Sequence, residues 1–76
     1  MSDVFGRKLR AYRKLKHWTQ EELAIRIGVS LAIIGSLERG TRTPTPELLK
    51  RLERELTVSA AELFGEAESA AAQEDS

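Results

Sequence analysis

A chain of 76 residues, 41% of them hydrophobic, suffices for one small domain with a modest core and leaves no room for a second folded unit. It contains no cysteine, which excludes a disulfide framework and a thiolate metal site, so helix packing, with or without a partner subunit, has to supply the stability. Net charge is zero but unevenly placed: residues 1–42 carry +5 and residues 43–76 carry −5, the pattern of one basic face and one acidic end. The opening MSDVFGRKLR lacks the apolar run of a signal peptide, and no segment approaches the roughly 20 apolar residues of a membrane span. A cytoplasmic protein without a membrane partner is therefore expected, in keeping with the missing cysteines.

The first predicted helix covers about residues 4–16, with Phe5, Leu9, Tyr12 and Leu15 at 3–4 spacing on its apolar side and basic residues elsewhere. The second is marked by a capping box, Thr19 with Glu22, and by Trp18 and Leu23 placed to form a hydrophobic staple. Ala24 and Ile27 extend its buried stripe. Gly28 ends it, because glycine takes a positive φ without a Cβ penalty. Ser30 caps a third helix over about 31–39, with Ile34 and Leu37 inward and Gly40 as its stop; residues 41–44 form a loop. Thr45 and Pro46 read as N-cap and first residue of a fourth helix, whose apolar stripe is Leu48, Leu49, Leu52 and Leu56. Ser59 and Glu62 suggest a second capping box opening a short fifth helix over about 60–64, with Val58 and Leu63 as its staple. After Gly65 the acidic EAESAAAQEDS is expected to be a disordered tail. The chain thus divides into a domain at 1–65 and a flexible acidic tail at 66–76. Such a tail either solubilises the chain or competes for its basic face.

The informative stretch is Gln20–Arg39. Two short helices joined by Gly28-Val29-Ser30 must cross steeply if both apolar stripes are to reach one core. Ala24 supplies the small residue at their crossing, and Leu23, Ile27, Val29, Ile34 and Leu37 fill the shared core. The outward face of the third helix is then free to enter a major groove about 12 Å wide. On FGRKLRAYRKLKHWTQEELA, IGVS, LERGTRTPTPELL and VSAAELFG, which span about residues 4–64, the chain resembles the Cro/C1-type (XRE-like) helix-turn-helix regulators of bacteria and phages. Its size and acidic C-terminal half resemble restriction–modification controller proteins and compact phage or plasmid repressors.

The resemblance implies an all-α, compact five-helix, lambda-repressor-like domain that binds double-stranded DNA specifically and regulates transcription. It implies DNA-backbone contacts from Thr19 and Gln20 at the start of the second helix and from Thr41, Arg42 and Thr43 in the loop after the third, with Arg10 contributing. It implies a structural ion pair between Arg13 and Glu38. The base-reading positions fall on Leu31, Ala32 and Ser36, with Ile33 and Gly35 nearby. Here the chain departs from its relatives, which generally carry Gln, Arg, Asn, Ser or Thr. Only Ser36 is able to hydrogen-bond a base edge, and the apolar residues offer contact with thymine methyls or steric exclusion. Gly35 costs the helix about 1 kcal/mol against alanine. A homodimer on an inverted-repeat operator, its recognition helices about 34 Å apart, is expected. Leu56, Val58 and Phe64 are the candidate dimer contacts, unless they close the monomer core.

Two rival functions use the same fold: a protein-interaction module that has lost DNA reading, suggested by Leu31-Ala32-Ile33, and an antitoxin with a toxin as protein partner. His17 is the lone histidine, and Ser30, Ser36 and Ser59 lack a His-Asp constellation. No cofactor, no metal and no catalysis are expected.

Overall fold

A computed structural model of the chain describes residues 3–66 and places five helices among them: α1 (Asp3–Leu15), α2 (Gln20–Ile27), α3 (Leu31–Arg39), α4 (Pro46–Leu56) and α5 (Ala60–Leu63). No strand occurs among the described residues, and none of their helices is long and apolar enough to cross a membrane. Apart from Glu66, the acidic tail expected over 66–76 lies outside the described residues.

Helices α2 to α5 each begin where a side chain can take up a free amide. Thr19 forms the full capping box: its hydroxyl accepts from Glu22 N at 3.0 Å, and its own N–H donates to Glu22 Oε1 at 2.7 Å. Ser30 and Thr45 accept from Ile33 N and Leu48 N at 3.3 and 3.2 Å, and Pro46 follows as the first residue of α4. At α5 only half of the expected box exists. Ser59 Oγ accepts from Glu62 N at 3.1 Å, but the Glu62 carboxylate accepts from Tyr12 Oη at 2.7 Å, tying α5 to α1. The carboxylate of Glu53 takes the α5 amide instead, accepting from Ala60 N at 2.7 Å.

The core joins all five helices: Phe5 and Leu9 from α1, Leu23, Ala24 and Ile27 from α2, Ile34 and Leu37 from α3, Leu52 and Leu56 from α4, and Leu63 from α5. Tyr12, Trp18, Val29, Ile33, Leu48, Leu49 and Val58 pack around it, half-buried. Two expectations are corrected here. Leu15, which the 3–4 spacing puts in the buried stripe, is 71% exposed. The row Phe5–Leu9 continues by a step of four to Arg13, which is buried, and Leu15 two residues later points to the opposite side of the helix. Leu56, a candidate dimer contact, is only 2% exposed and belongs to the monomer core, one turn beyond Leu52.

α1 and α3 cross in tight contact at Gly6. A Cβ built there would lie 2.3 Å from the carbonyl oxygen of Glu38 and 2.9 Å from that of Leu37, so only a hydrogen lets α1 cross α3 this tightly. Composition and spacing single out Ala24 as the small crossing residue. Ala24 is indeed buried, but the more demanding contact is at Gly6, which no local pattern marks because its partner is 31–32 residues away in the chain.

Candidate nucleic-acid interface

The turn between α2 and α3 follows from Gly28 at φ 75°, whose N–H turns back to the carbonyls of Ala24 and Ile25. Val29 N also donates to Ala24 O at 3.0 Å, which satisfies the end of α2 and sends the chain across it into α3. A polar hub then sets the angle of this pair against α1. Arg13 donates from Nε to Glu38 Oε2 at 2.7 Å, from Nη2 to Glu38 Oε1 at 3.2 Å and from Nη1 to the Trp18 carbonyl at 2.8 Å. Gln20 Nε2 adds a donor to Glu38 Oε1 at 3.0 Å. The two charged side chains are 10% and 5% exposed, so the bidentate pair works with little solvent screening. Three helices are thereby locked with the N-terminus of α2 and the outward face of α3 on one side of the molecule.

On that face Leu31 is 51% exposed, Ala32 is exposed and Ser36 is half-buried. Residues 31, 32, 36 and 33 follow one another around α3 at about 100° per residue, so Ala32 and Ser36 form a strip between Leu31 and Ile33. A concavity flanks each side of the strip. The first is lined by Leu31 with Arg10, Thr19, Gln20, Glu21 and Arg39, over the buried hub. The second is lined by Ile33 with Val29, Arg42, Thr43, Thr45 and Arg51.

Residues 9–63 match the helix-turn-helix family. The uncharacterized HTH-type transcriptional regulator YazB of Bacillus subtilis is 42% identical over 62 residues, covering 82% of this chain and 90% of that protein. The chain belongs to the helix-turn-helix family. It is a DNA-binding transcriptional regulator of that family. Two solved structures share the helix-turn-helix arrangement. The restriction-modification controller protein C.AhdI from Aeromonas hydrophila superposes with a TM-score of 0.75 at 34% identity, covering 82% of this chain and 94% of that one. The clp gene regulator ClgR from Corynebacterium glutamicum superposes with a TM-score of 0.78 at 36% identity, covering 97% and 83%.

Within this helix-turn-helix the expected DNA-facing residues divide by what they already do. Thr19 accepts as the α2 cap and keeps its hydroxyl proton for an outside acceptor. Gln20, half-buried, braces Glu38. Ser36 Oγ donates to Ala32 O at 3.0 Å, so toward solvent its hydroxyl offers lone pairs rather than a proton. Thr41 donates from N and Oγ1 to the Ser36 carbonyl at 3.0 and 3.2 Å, fastening the loop to the end of α3. Arg42 and Thr43 project from that loop and are exposed, as is Arg10 on α1. Among the described residues neither Arg10 nor Arg42 has a carboxylate partner.

Arg39 lies on the same side of the molecule, unmarked by any sequence motif. It lines the first concavity and has no ion pair among the described residues. Its sequence signal is faint: a mid-helix glycine four residues earlier. Among the dimer candidates that remain, Val58 is half-buried against the core. Phe64 is 39% exposed, with its ring 4.9 Å from that of Phe5. Val4, 40% exposed, lies beside Gly65, so an apolar patch sits at the α1–α5 end. No group of three or more His, Cys, Asp or Glu among the described residues could hold a metal ion.

Proposed function

We propose that this regulator places α3 in the major groove of double-stranded DNA and acts as a homodimer on an inverted repeat. The observation that carries the reading is the arrangement around α3: an uncharged strip of Ala32 and Ser36 between two concavities, each with an exposed unpaired arginine. Such a layout suits a helix seated between two phosphate strands. Thr19, Gln20 and Arg10 would face one strand, and Thr41, Arg42 and Thr43 the other.

With Leu31 and Ala32 apolar and Ser36 presenting an acceptor, base discrimination rests on thymine methyls, on donors such as cytosine N4 and on DNA shape, while phosphates supply most of the affinity. Phe64 and Val4 would form the dimer contact. The reading assigns no catalysis and no cofactor, and it locates the protein in the cytoplasm with the DNA it reads. One observation favours a second reading, a protein partner on α3: the exposure of Leu31 beside the Ala32–Ser36 strip.

Selection of binding sites from random duplex DNA tests the proposal, with affinity titrated against salt and mass measured by sedimentation. Recovery of an inverted repeat with half-sites about one helical turn apart supports it. Weak binding without enrichment favours the protein-partner reading. Conversion to monomer by Phe64→Ser would assign the dimer contact, and an unchanged mass would remove Phe64 from it.

A further inference from the structure

Gly35 lies in the middle of α3, where alanine is the better helix former. It is nevertheless buried, and the cover is a neighbouring side chain rather than another helix. A Cβ built on Gly35 would meet only Arg39: Nη1 at 2.9 Å, Cζ at 3.8 Å and Nη2 at 4.0 Å. The guanidinium of Arg39 therefore folds back one turn along α3 and rests in the notch left by the missing methyl.

The fold-back is not held by a polar bond: Arg39 makes no ion pair or side-chain hydrogen bond among the described residues, and the polar hub beneath it is already complete through Arg13, Gln20 and Glu38. What it changes is position. Folded over Gly35, its five donors stay beside the concavity that it shares with Arg10, Thr19, Gln20, Glu21 and Leu31. Of the two carboxylates lining it, Glu38 is paired with Arg13, which leaves Glu21 beside two guanidinium groups, Arg10 and Arg39, that have no ion-pair partner among the described residues. A flat guanidinium fork in this position suits an oxyanion held against the α2 N-terminus.

We infer that Arg39 is a DNA-phosphate contact held ready by Gly35, clamping the same backbone strand as Arg10 from the opposite wall of the concavity. The inference rests on the DNA-binding reading above and adds a residue and a positioning device to it. Gly35 touches nothing on the DNA itself. It sets where the guanidinium lies, and a methyl group at that position would push the fork outward.

A double-mutant cycle in binding tests this: wild type, Arg39→Ala, Gly35→Ala and the double variant, each titrated with a short duplex of random sequence over a range of salt. Arg39→Ala is expected to weaken binding roughly tenfold at low salt and to lower the salt slope by about 0.9, the value of one phosphate contact. Gly35→Ala is expected to keep or raise the thermal midpoint while weakening binding several-fold. In the Arg39→Ala background it should have no further effect on binding. An unchanged slope in Arg39→Ala, beside a wild type that binds normally, overturns the inference and leaves the DNA reading standing. An equal loss from Gly35→Ala with and without Arg39 overturns the positioning role. Failure of the wild type to bind any duplex overturns the DNA reading and this inference together.

Discussion

Replacing Gly6 with alanine puts a methyl group where α1 crosses α3. The new Cβ would stand 2.3 Å from the Glu38 carbonyl oxygen and 2.9 Å from both the Glu38 carbonyl carbon and the Leu37 oxygen. All three are backbone atoms inside a hydrogen-bonded helix, so none can rotate aside. Ordinary contact begins at 3.4 Å, and α1 therefore has to back away by about 1 Å. That displacement loosens Phe5 and Leu9 against Leu37, and it stretches the 2.7 Å bond from Arg13 to Glu38. Overpacking of this kind costs about 1–3 kcal/mol. The obstruction is backbone, which argues for the upper end. Better helix propensity returns about 1 kcal/mol. The net expectation is a loss of about 2 kcal/mol, a large share of a small domain's stability. The thermal midpoint should fall by about 8–16 °C. Urea unfolding followed by fluorescence of Trp18, the only tryptophan, gives the number directly, with helicity as a second probe. A variant as stable as the wild type would refute the reasoning, because it would mean that α1 slides on α3 without cost.

Three further outcomes are expected. Arg13→Ala should destabilise by about 3–5 kcal/mol, since it strands the Glu38 carboxylate in a 5% exposed site with Gln20 as its remaining donor; a loss below about 1 kcal/mol in chemical unfolding would show a solvated pair instead. Thr57 is a β-branched residue held at φ 58° as the C-cap of α4, so Thr57→Gly should raise stability by about 0.5–1 kcal/mol. No rise in the thermal midpoint would show that the turn carries no strain. Arg42→Ala should weaken binding to all duplexes about equally and lower the salt slope by about 1, whereas an effect confined to one operator would argue against a phosphate role.

The helix boundaries were legible in the chain because capping is local chemistry. Thr19 with Glu22, Ser30, Thr45 with Pro46, and Gly28 and Gly40 at φ 75° and 80° all act on amides or carbonyls within four residues. The core positions Leu23, Ile27, Ile34, Leu37 and Leu52 follow from helical spacing by the same logic, and the motif they form is enough to place the chain in its family. Other features depend on which elements come to lie together, and periodicity carries no record of that. Leu15 is exposed because α3 and the hub occupy the Arg13 side of α1. Leu56 is interior because α4 packs the Leu52–Leu56 end of its stripe into the core, with Leu48 and Leu49 only half-buried. Glu62 leaves its own capping box because Tyr12, 50 residues earlier, offers a hydroxyl at 2.7 Å. Gly6 and the Arg39 guanidinium belong to the same group. The first is recognisable only from the carbonyls of α3 that press on it, and the second only from the notch at Gly35 into which it folds. Local hydrogen bonds and the 3.6-residue repeat decide what each segment is, whereas side-chain volume and charge at the crossings decide which atoms meet and therefore what the outward face of α3 presents.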